Sequence, residues 1–197
     1  MIPGREWDVD IFIKSCLRVG LVFVDVGANI GYYTLIASKL VGSQGRIYSI
    51  EPVPSTATIL KANVKLNNCL NVSIYNVAIW SSKGTLTLRI PGTWYGLASV
   101  SRYGVNIAVN SITLDELLKN EASIDCIKID VEGAELEVLR GAKDVLKRTK
   151  YLVIEISHNV NEILRILSEA GFKCKKAHFT AYVLCKRSET NNSHKDQ

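Results

Sequence analysis

The sequence predicts an α/β fold organised around a parallel sheet, and three features of its first 76 residues carry that expectation. One is an apolar run of mostly β-branched or aromatic residues, Val22, Phe23, Val24 and Val26, which suits a central strand and is interrupted near its end by Asp25. Next comes a turn in which Gly27 and Gly31 bracket Asn29, before helical apolar spacing sets in from Tyr32 through Leu35, Ile36 and Leu40. The last is the rhythm of strand, helix, strand, helix, strand, an order that calls for right-handed crossovers between parallel neighbours.

Taken in order, Asp8–Val19 reads as an amphipathic helix with Val9, Phe12, Ile13, Cys16 and Leu17 on one side. Leu21–Val26 is the first strand and a helix follows from Tyr32. Residues 42–45 turn the chain into a second strand, Arg46–Ile50, which ends at Glu51. Pro52 and Pro54 set up a helix over Ser55–Leu66, since proline is tolerated near a helix start, and Val72–Asn76 is the third strand. The middle breaks the alternation. Val77–Trp80 and Thr85–Ile90 read as short strands around the turn Ser81-Ser82-Lys83-Gly84, and Pro91–Gly104, rich in Gly, Ser, Trp and Tyr, as a surface excursion. Asn106–Ile112 is extended, and Thr113 with Glu116 forms a capping box opening a helix to Lys119. Alternation then resumes with a strand at Asp125–Ile129, a helix at Ala134–Leu146 that can bend at Gly141, and a strand at Tyr151–Ile156. A helix over Val160–Ala170 closes at Gly171, and Phe172–Ala177 with Ala181–Lys186 forms an antiparallel hairpin. Residues 188–197 are polar and expected to fray. With no repeat and no linker, 1–197 is expected to be one domain with its core at about 21–187.

Bulk composition narrows the class further. At 197 residues, 47% apolar and 22% charged, the chain resembles an ordinary globular protein. Its net charge of +5 permits an anionic partner without demanding one. No run of 18 apolar residues occurs, and the first ten residues lack a basic-then-apolar layout, so neither a membrane span nor a secretory signal is expected and the cytoplasm is the expected compartment. Five dispersed cysteines without a CxxC pair argue against zinc and fit buried thiols. Cys174 and Cys185 can face each other across the hairpin, which leaves one disulfide open.

An open α/β sheet takes its ligand at the carboxyl ends of the strands, which points to the turn after the first strand. A dinucleotide turn follows GxGxxG. Here it reads Gly27-Ala28-Asn29-Ile30-Gly31, with Asn29 where the middle glycine should be, and Asp25 below it would repel a pyrophosphate. A sulfonium- and ammonium-bearing ligand suits Asp25, and Glu51 has two acceptor oxygens for ribose hydroxyls. Asp130 and Glu132 stand at the end of the fourth strand, where unpaired buried carboxylates would be costly and so suggest a site. Glu135 is expected to support that turn through its N–H groups. Glu155, His158 and Asn159 follow the fifth strand.

These stretches carry a resemblance. FVDVGANIGYYTLIASKL, IYSIEPVP, NVAIW followed by GTLTL, and IKIDVEGAELEVLRGAK with IEISHN are similar to the FkbM-like family of class I S-adenosylmethionine-dependent methyltransferases, over about Leu21–Lys186. The resemblance implies a Rossmann-like seven-stranded mixed sheet of order 3-2-1-4-5-7-6, with strand 7 antiparallel and helices on both faces. It also implies O-methylation of a hydroxyl on a sugar, a macrocycle or another small metabolite. The chain is short for the family, and no appended N-terminal domain is expected.

Under this reading Asp25, Gly27, Ala28, Asn29, Gly31, Tyr32, Glu51, Asn76 and Ala78 hold the cofactor, with Ala78 near the adenine. Glu132 and His158 serve as base or acceptor-positioning groups, and Asp130 does the same or holds the methionine amine. A magnesium-assisted variant would draw on Asp130, His158 and Asn159, although His158 is a poor ligand for that ion. Two other classes compete. One is an RNA- or protein-directed methyltransferase or binding module, suggested by the charge and by Trp94, Tyr95, Arg102 and Tyr103. The other is an NAD-linked oxidoreductase, which the Asn29 turn disfavours.

Overall fold

The computed structural model describes residues 7–90, 105–178 and 180–188. Strands β1 (Val22–Val26), β2 (Arg46–Ile50), β3 (Val72–Tyr75), β7 (Ile124–Ile129), β8 (Thr149–Glu155), β9 (Phe172–Lys176) and β10 (Tyr182–Arg187) form one seven-stranded sheet. Its order is β3-β2-β1-β7-β8-β10-β9. The first five positions run parallel, and β10 is antiparallel to both its neighbours. This is the expected 3-2-1-4-5-7-6 arrangement. The central strands β1 and β7 are buried along their whole length, because helices cover both faces.

Alternation along each strand sorts side chains between two cores. Val22, Val24, Val26, Ile127 and Ile129 join the core beneath α5 (Glu135–Arg140), α6 (Lys143–Lys147) and α7 (Val160–Glu169). Phe23, Cys126, Val153 and Tyr182 join the opposite core, against Val9 and Ile13 of α1 (Trp7–Cys16) and Tyr33, Ala37 and Val41 of α2 (Tyr32–Val41). Leu60 and Val64 of α3 (Pro54–Leu66) pack with Ala28 and Cys69 in a smaller cluster. No helix among the described residues is long and apolar enough to cross a membrane.

The middle of the chain differs from the sequence expectation. β4 (Ala78–Ile79), β5 (Gly84–Ile90) and β6 (Val105–Ile112) form a second sheet of order β4-β6-β5. The turn at 81–84 therefore does not close a hairpin. β5 pairs antiparallel with β6, whereas β4 lies parallel to β6. Residues 91–104, including Trp94, Tyr95, Arg102 and Tyr103, lie outside the described residues, as does the tail from residue 189.

Thr113 caps α4 (Leu114–Leu117) by accepting the Glu116 N–H at 3.0 Å, which is half of the expected box. The helix expected over Ala134–Leu146, with a bend allowed at Gly141, is two helices that part there. At the break, a Cβ on Gly141 would lie 2.2 Å from the Trp80 carbonyl oxygen, so only glycine lets that backbone pass so close. Gly171 takes φ +87° after α7 and lets the chain enter β9.

Of the five cysteines, Cys174 and Cys185 are opposite each other in the β9–β10 ladder and are disulfide-bonded. Cys16, Cys69 and Cys126 are buried thiols.

Candidate active site

The turn after β1 is built from left-handed backbone. Gly27, Asn29 and Gly31 have φ of 78°, 52° and 98°. The sequence marks this turn as the place for a ligand, and the geometry adds a packing reason for its glycines. A Cβ on Gly27 would lie 1.8 Å from the Asp130 carbonyl oxygen, and one on Gly31 would lie 2.6 Å from Leu60 Cδ1. The missing side chains let β7 and α3 close on the turn. The N–H groups of Gly27 and Ala28 both donate to the Ile50 carbonyl, which pins the turn to the end of β2. Ala28 itself is buried.

Glu51, at the end of β2, is 6% exposed. Its Oε2 accepts the Asn29 N–H at 3.0 Å and its Oε1 accepts the Val53 N–H at 2.9 Å. One carboxylate thus ties the glycine turn to the start of α3. Each oxygen retains a second lone-pair site for another donor. Asn76 donates from Nδ2 to the carbonyls of Glu51 and Pro52 at 2.8 and 2.9 Å, bracing the loop that carries Glu51. Ala78 is buried in β4. Tyr32 directs its hydroxyl to Asp10 Oδ2 of α1 at 2.9 Å, so its position is coupled to the first helix.

A polar row crosses the α1/α2 face of the sheet, and β-periodicity produces it. Asp25 lies in register with Ser49 of β2 and Lys128 of β7, and Glu155 of β8 lies opposite Tyr182 of β10. Asp25 is 1% exposed. Its Oδ2 accepts the Thr34 hydroxyl at 2.7 Å, and Thr34 in turn contacts Ser49 Oγ at 2.8 Å. Asp25 Oδ1 is buried without a hydrogen-bond partner among the described residues, with Lys128 Nζ 3.9 Å away. The same ammonium donates to Asp130 Oδ2 at 2.9 Å, and the Tyr182 hydroxyl donates to that oxygen at 2.7 Å.

Asp130, Glu132 and Glu155 each bring a carboxylate oxygen within 4.8 Å of the others. Glu132 sits at φ +50° and is exposed. Glu135 accepts the Gly133 N–H at 2.8 Å and faces Ser157 Oγ at 3.4 Å, which ties the β7 turn to the loop after β8 as expected. His158 is exposed, with Nδ1 3.1 Å from Ser157 Oγ and 3.8 Å from where a Gly133 Cβ would be.

Burial sets the charges apart. It pushes the Asp25 and Glu51 carboxyls up from their usual range, against the pull of Lys128 and Thr34 on the first and of the Val53 and Asn29 amides on the second. Partial burial, then the neighbouring charges of Asp130 and Glu135, pushes Glu132 up as well. For Asp130 burial acts upward too, but Lys128, Tyr182 and Glu155 together outweigh it and hold the group below the usual carboxylate range.

The structure thus gathers Asp25, Glu51, Asp130 and Glu132 at one end of the sheet, with His158 at its rim. Sequence reasoning grouped Glu155 with His158 and gave it no role, and it passed over Lys128 and Tyr182. The signal for Lys128 was present: it lies two residues before Asp130 on one strand and hence on the same face. Tyr182 could not be found without the β10 register. The magnesium set gains no support: among the described residues the acids that converge within 4.8 Å are Asp130, Glu132 and Glu155, without His158. The acids that do converge already share the Lys128 ammonium through Asp130, so we assign no metal ligands here.

At the opposite end of the sheet the acids are fully engaged. Glu121 holds Arg46 through two 2.8 Å bonds and also accepts the Tyr48 hydroxyl. Asp125 accepts the Val22 N–H at 2.9 Å and Lys150 Nζ at 2.6 Å.

Comparison with known proteins agrees with this geometry. The methyltransferase FkbM domain model matches residues 25–174. The chain is 30% identical over 154 residues to the hexuronic acid methyltransferase AglP of Haloferax volcanii, an alignment covering 76% of this chain and 62% of that protein. It therefore spans less than two thirds of that relative's length. It is 28% identical over 208 residues to the 31-O-demethyl-FK506 methyltransferase FkbM of Streptomyces tacrolimicus, covering 83% of this chain and 79% of that one. A SAM-dependent O-methyltransferase from Thermotoga maritima superposes with a TM-score of 0.61 at 13% identity, over 95% of this chain and 67% of that one, which speaks for the fold. On the extent of the domain match, the chain belongs to the methyltransferase FkbM domain family.

Proposed function

We propose that the chain is an S-adenosylmethionine-dependent methyltransferase that methylates a hydroxyl on a sugar, a glycan or another small metabolite. The observation that carries this reading is the cluster of Asp130, Glu132 and Glu155 at the carboxyl ends of β7 and β8, with the buried Asp25 of β1 and Glu51 at the end of β2 near enough for their charges to act on one another and on Asp130, in a chain whose net charge is +5. A concentrated anionic site in a basic protein suits a cationic ligand and repels a pyrophosphate. The residues fit such a cofactor on a second count, since Asp25 Oδ1 is a buried carboxylate oxygen still lacking a hydrogen bond. The sugar preference rests on the hexuronic acid methyltransferase among the relatives.

When bound, S-adenosylmethionine supplies a methyl group already activated on a sulfonium. The protein's task is then alignment and removal of one proton. Glu51 offers its remaining lone pairs to the ribose hydroxyls while its amide contacts hold the glycine turn in place. Asp25 and Asp130 supply fixed negative charge for the methionine amine. Asp130, held ionised by its neighbours, is a weak base and a good counter-ion. Glu132 is exposed, has no hydrogen-bond partner among the described residues and is pushed upward in pKa, which are the properties a general base needs.

Bound there, the cofactor would supply the methyl group to the acceptor oxygen and leave as a neutral thioether, and Glu132 would take the hydroxyl proton. His158 at the rim positions the acceptor. The test is the double substitution E132Q/H158A, assayed with labelled S-adenosylmethionine and host extract fractionated into glycan, lipid, RNA and protein. We expect transfer into the glycan or small-molecule fraction to fall by about 10²–10⁴-fold, with S-adenosylhomocysteine affinity retained. Undiminished turnover would remove both residues from the mechanism.

A further inference from the structure

We propose that Lys128 is the positioning residue of the site, an ammonium buried between Asp25 and Asp130 that balances their charge and, with Tyr182, fixes Asp130 by a single oxygen. The proposal deepens the reading above and rests on it for the ligand. Lys128 is 2% exposed, and it is the only fully buried basic side chain among the described residues. A lone ammonium at that depth is costly unless paired, and here it spans two carboxylates on adjacent strands, 2.9 Å from Asp130 Oδ2 and 3.9 Å from Asp25 Oδ1. The ammonium also lies over the ring of Tyr33 on α2, 5.1 Å from its centroid.

The Tyr182 hydroxyl meets the same Oδ2 from β10 at 2.7 Å. Asp130 is thereby held from two strands through its Oδ2, with the Glu155 carboxyl as a further neighbour. Other titratable groups that act on this cluster are Glu155 on β8, Glu132 and Glu135 in and after the following turn, Glu51 beyond β2, and the Cys126 thiol on β7 beside Cys16 of α1; none of them is a cation. Without the ammonium, the two aspartates would have no buried cation beside them. Asp25 and Asp130 would then take up protons at a higher pH and lose their hold on a cationic ligand. Tyr182 has a separate job: it orients Asp130 and carries no charge.

The two roles separate experimentally. Binding of S-adenosylhomocysteine is measured by calorimetry at about pH 7 and about pH 5.5, where the ligand amine stays cationic, for wild type, K128M and Y182F. We expect K128M to lose about tenfold more affinity than wild type over that drop in pH, and Y182F to bind more weakly by the same factor at both. A K128M deficit that is equal at both pH values would overturn the charge-balancing role.

A ligand-free readout accompanies it. The melting-temperature deficit of K128M against wild type should narrow on acidification, because the exposed imbalance is relieved by protonation; a constant deficit also overturns the proposal. If K128M is too unstable to purify, K128M/D25N removes the ammonium together with one of its two anions. Recovery of folding in the double variant supports charge balance, and failure to recover refutes it. Wild-type protein that binds no S-adenosylhomocysteine would sink the proposed function, while the melting comparison would still decide the role of Lys128.

Discussion

Replacing Gly27 by alanine puts a methyl group where the Asp130 carbonyl oxygen already stands. Two costs add. The residue sits at φ +78°, where a Cβ costs about 1–2 kcal/mol. The built Cβ falls 1.8 Å from that oxygen, a backbone atom of the neighbouring strand, so relief requires β1 and β7 to part, at roughly 1–3 kcal/mol for overpacking. The sum, about 2–5 kcal/mol, corresponds to a melting temperature lower by roughly 5–20 °C in a domain of this size. Gly20 supplies the control. It has φ +85° with nothing within 4 Å of its would-be Cβ, so G20A carries the conformational cost alone. Urea unfolding followed by circular dichroism measures both. G27A should cost at least twice as much as G20A and should also weaken S-adenosylhomocysteine binding, since it displaces Asp130. A G27A variant no less stable than G20A would refute the argument that β7 closes on the turn.

Other expectations follow from the same contacts. E51Q keeps one acceptor and turns an amide toward an N–H, so it should cost about 1–3 kcal/mol in urea unfolding and weaken ligand affinity by about tenfold or more. The pH dependence of stability has two limbs of opposite sign. Asp25 and Glu51, pushed up by burial, cost stability at neutral pH and return it as pH falls through their folded values. Asp130 and Glu121, held low, contribute stability that is lost below about pH 4. Stability should therefore hold or rise from about pH 7 to about pH 5 and then drop below about pH 4; a steady decline from neutrality would contradict the assignments. The Cys174–Cys185 bridge closes a separation of 11 residues, so C174A/C185A should lower stability by about 3 kcal/mol on the loop-entropy account.

Much of the fold could be read from the chain because its signals are local. The apolar run before Asp25, the change from period 2 to helical spacing at Tyr32, and the glycines at 27, 31 and 171 each act within a few residues. The antiparallel hairpin, with Cys174 opposite Cys185, was also within reach. What escaped depends on distant contacts. Gly141 was legible as a place to bend, but nothing near Trp80 announces that its carbonyl will pass there, and nothing in β4 says that it will pair with β6 rather than with β5. The site divides the same way. Asp25, Glu51 and Asp130 were legible as carboxylates at strand ends. Strand periodicity puts Lys128 on the face of Asp130, but only the β1–β7 register sets it beside Asp25, and Tyr182 joins only through the pairing of β10 with β8. The glycine turn was identified correctly but for an incomplete reason, since its missing side chains make room for Asp130 and Leu60.

The central claim is that this anionic strand-end site holds a sulfonium cofactor. Calorimetric titration of the wild-type chain with S-adenosylhomocysteine and, separately, with NAD tests it most directly. The account predicts saturable binding of S-adenosylhomocysteine that weakens in E51Q, and no measurable binding of NAD. Binding of NAD without S-adenosylhomocysteine would contradict it.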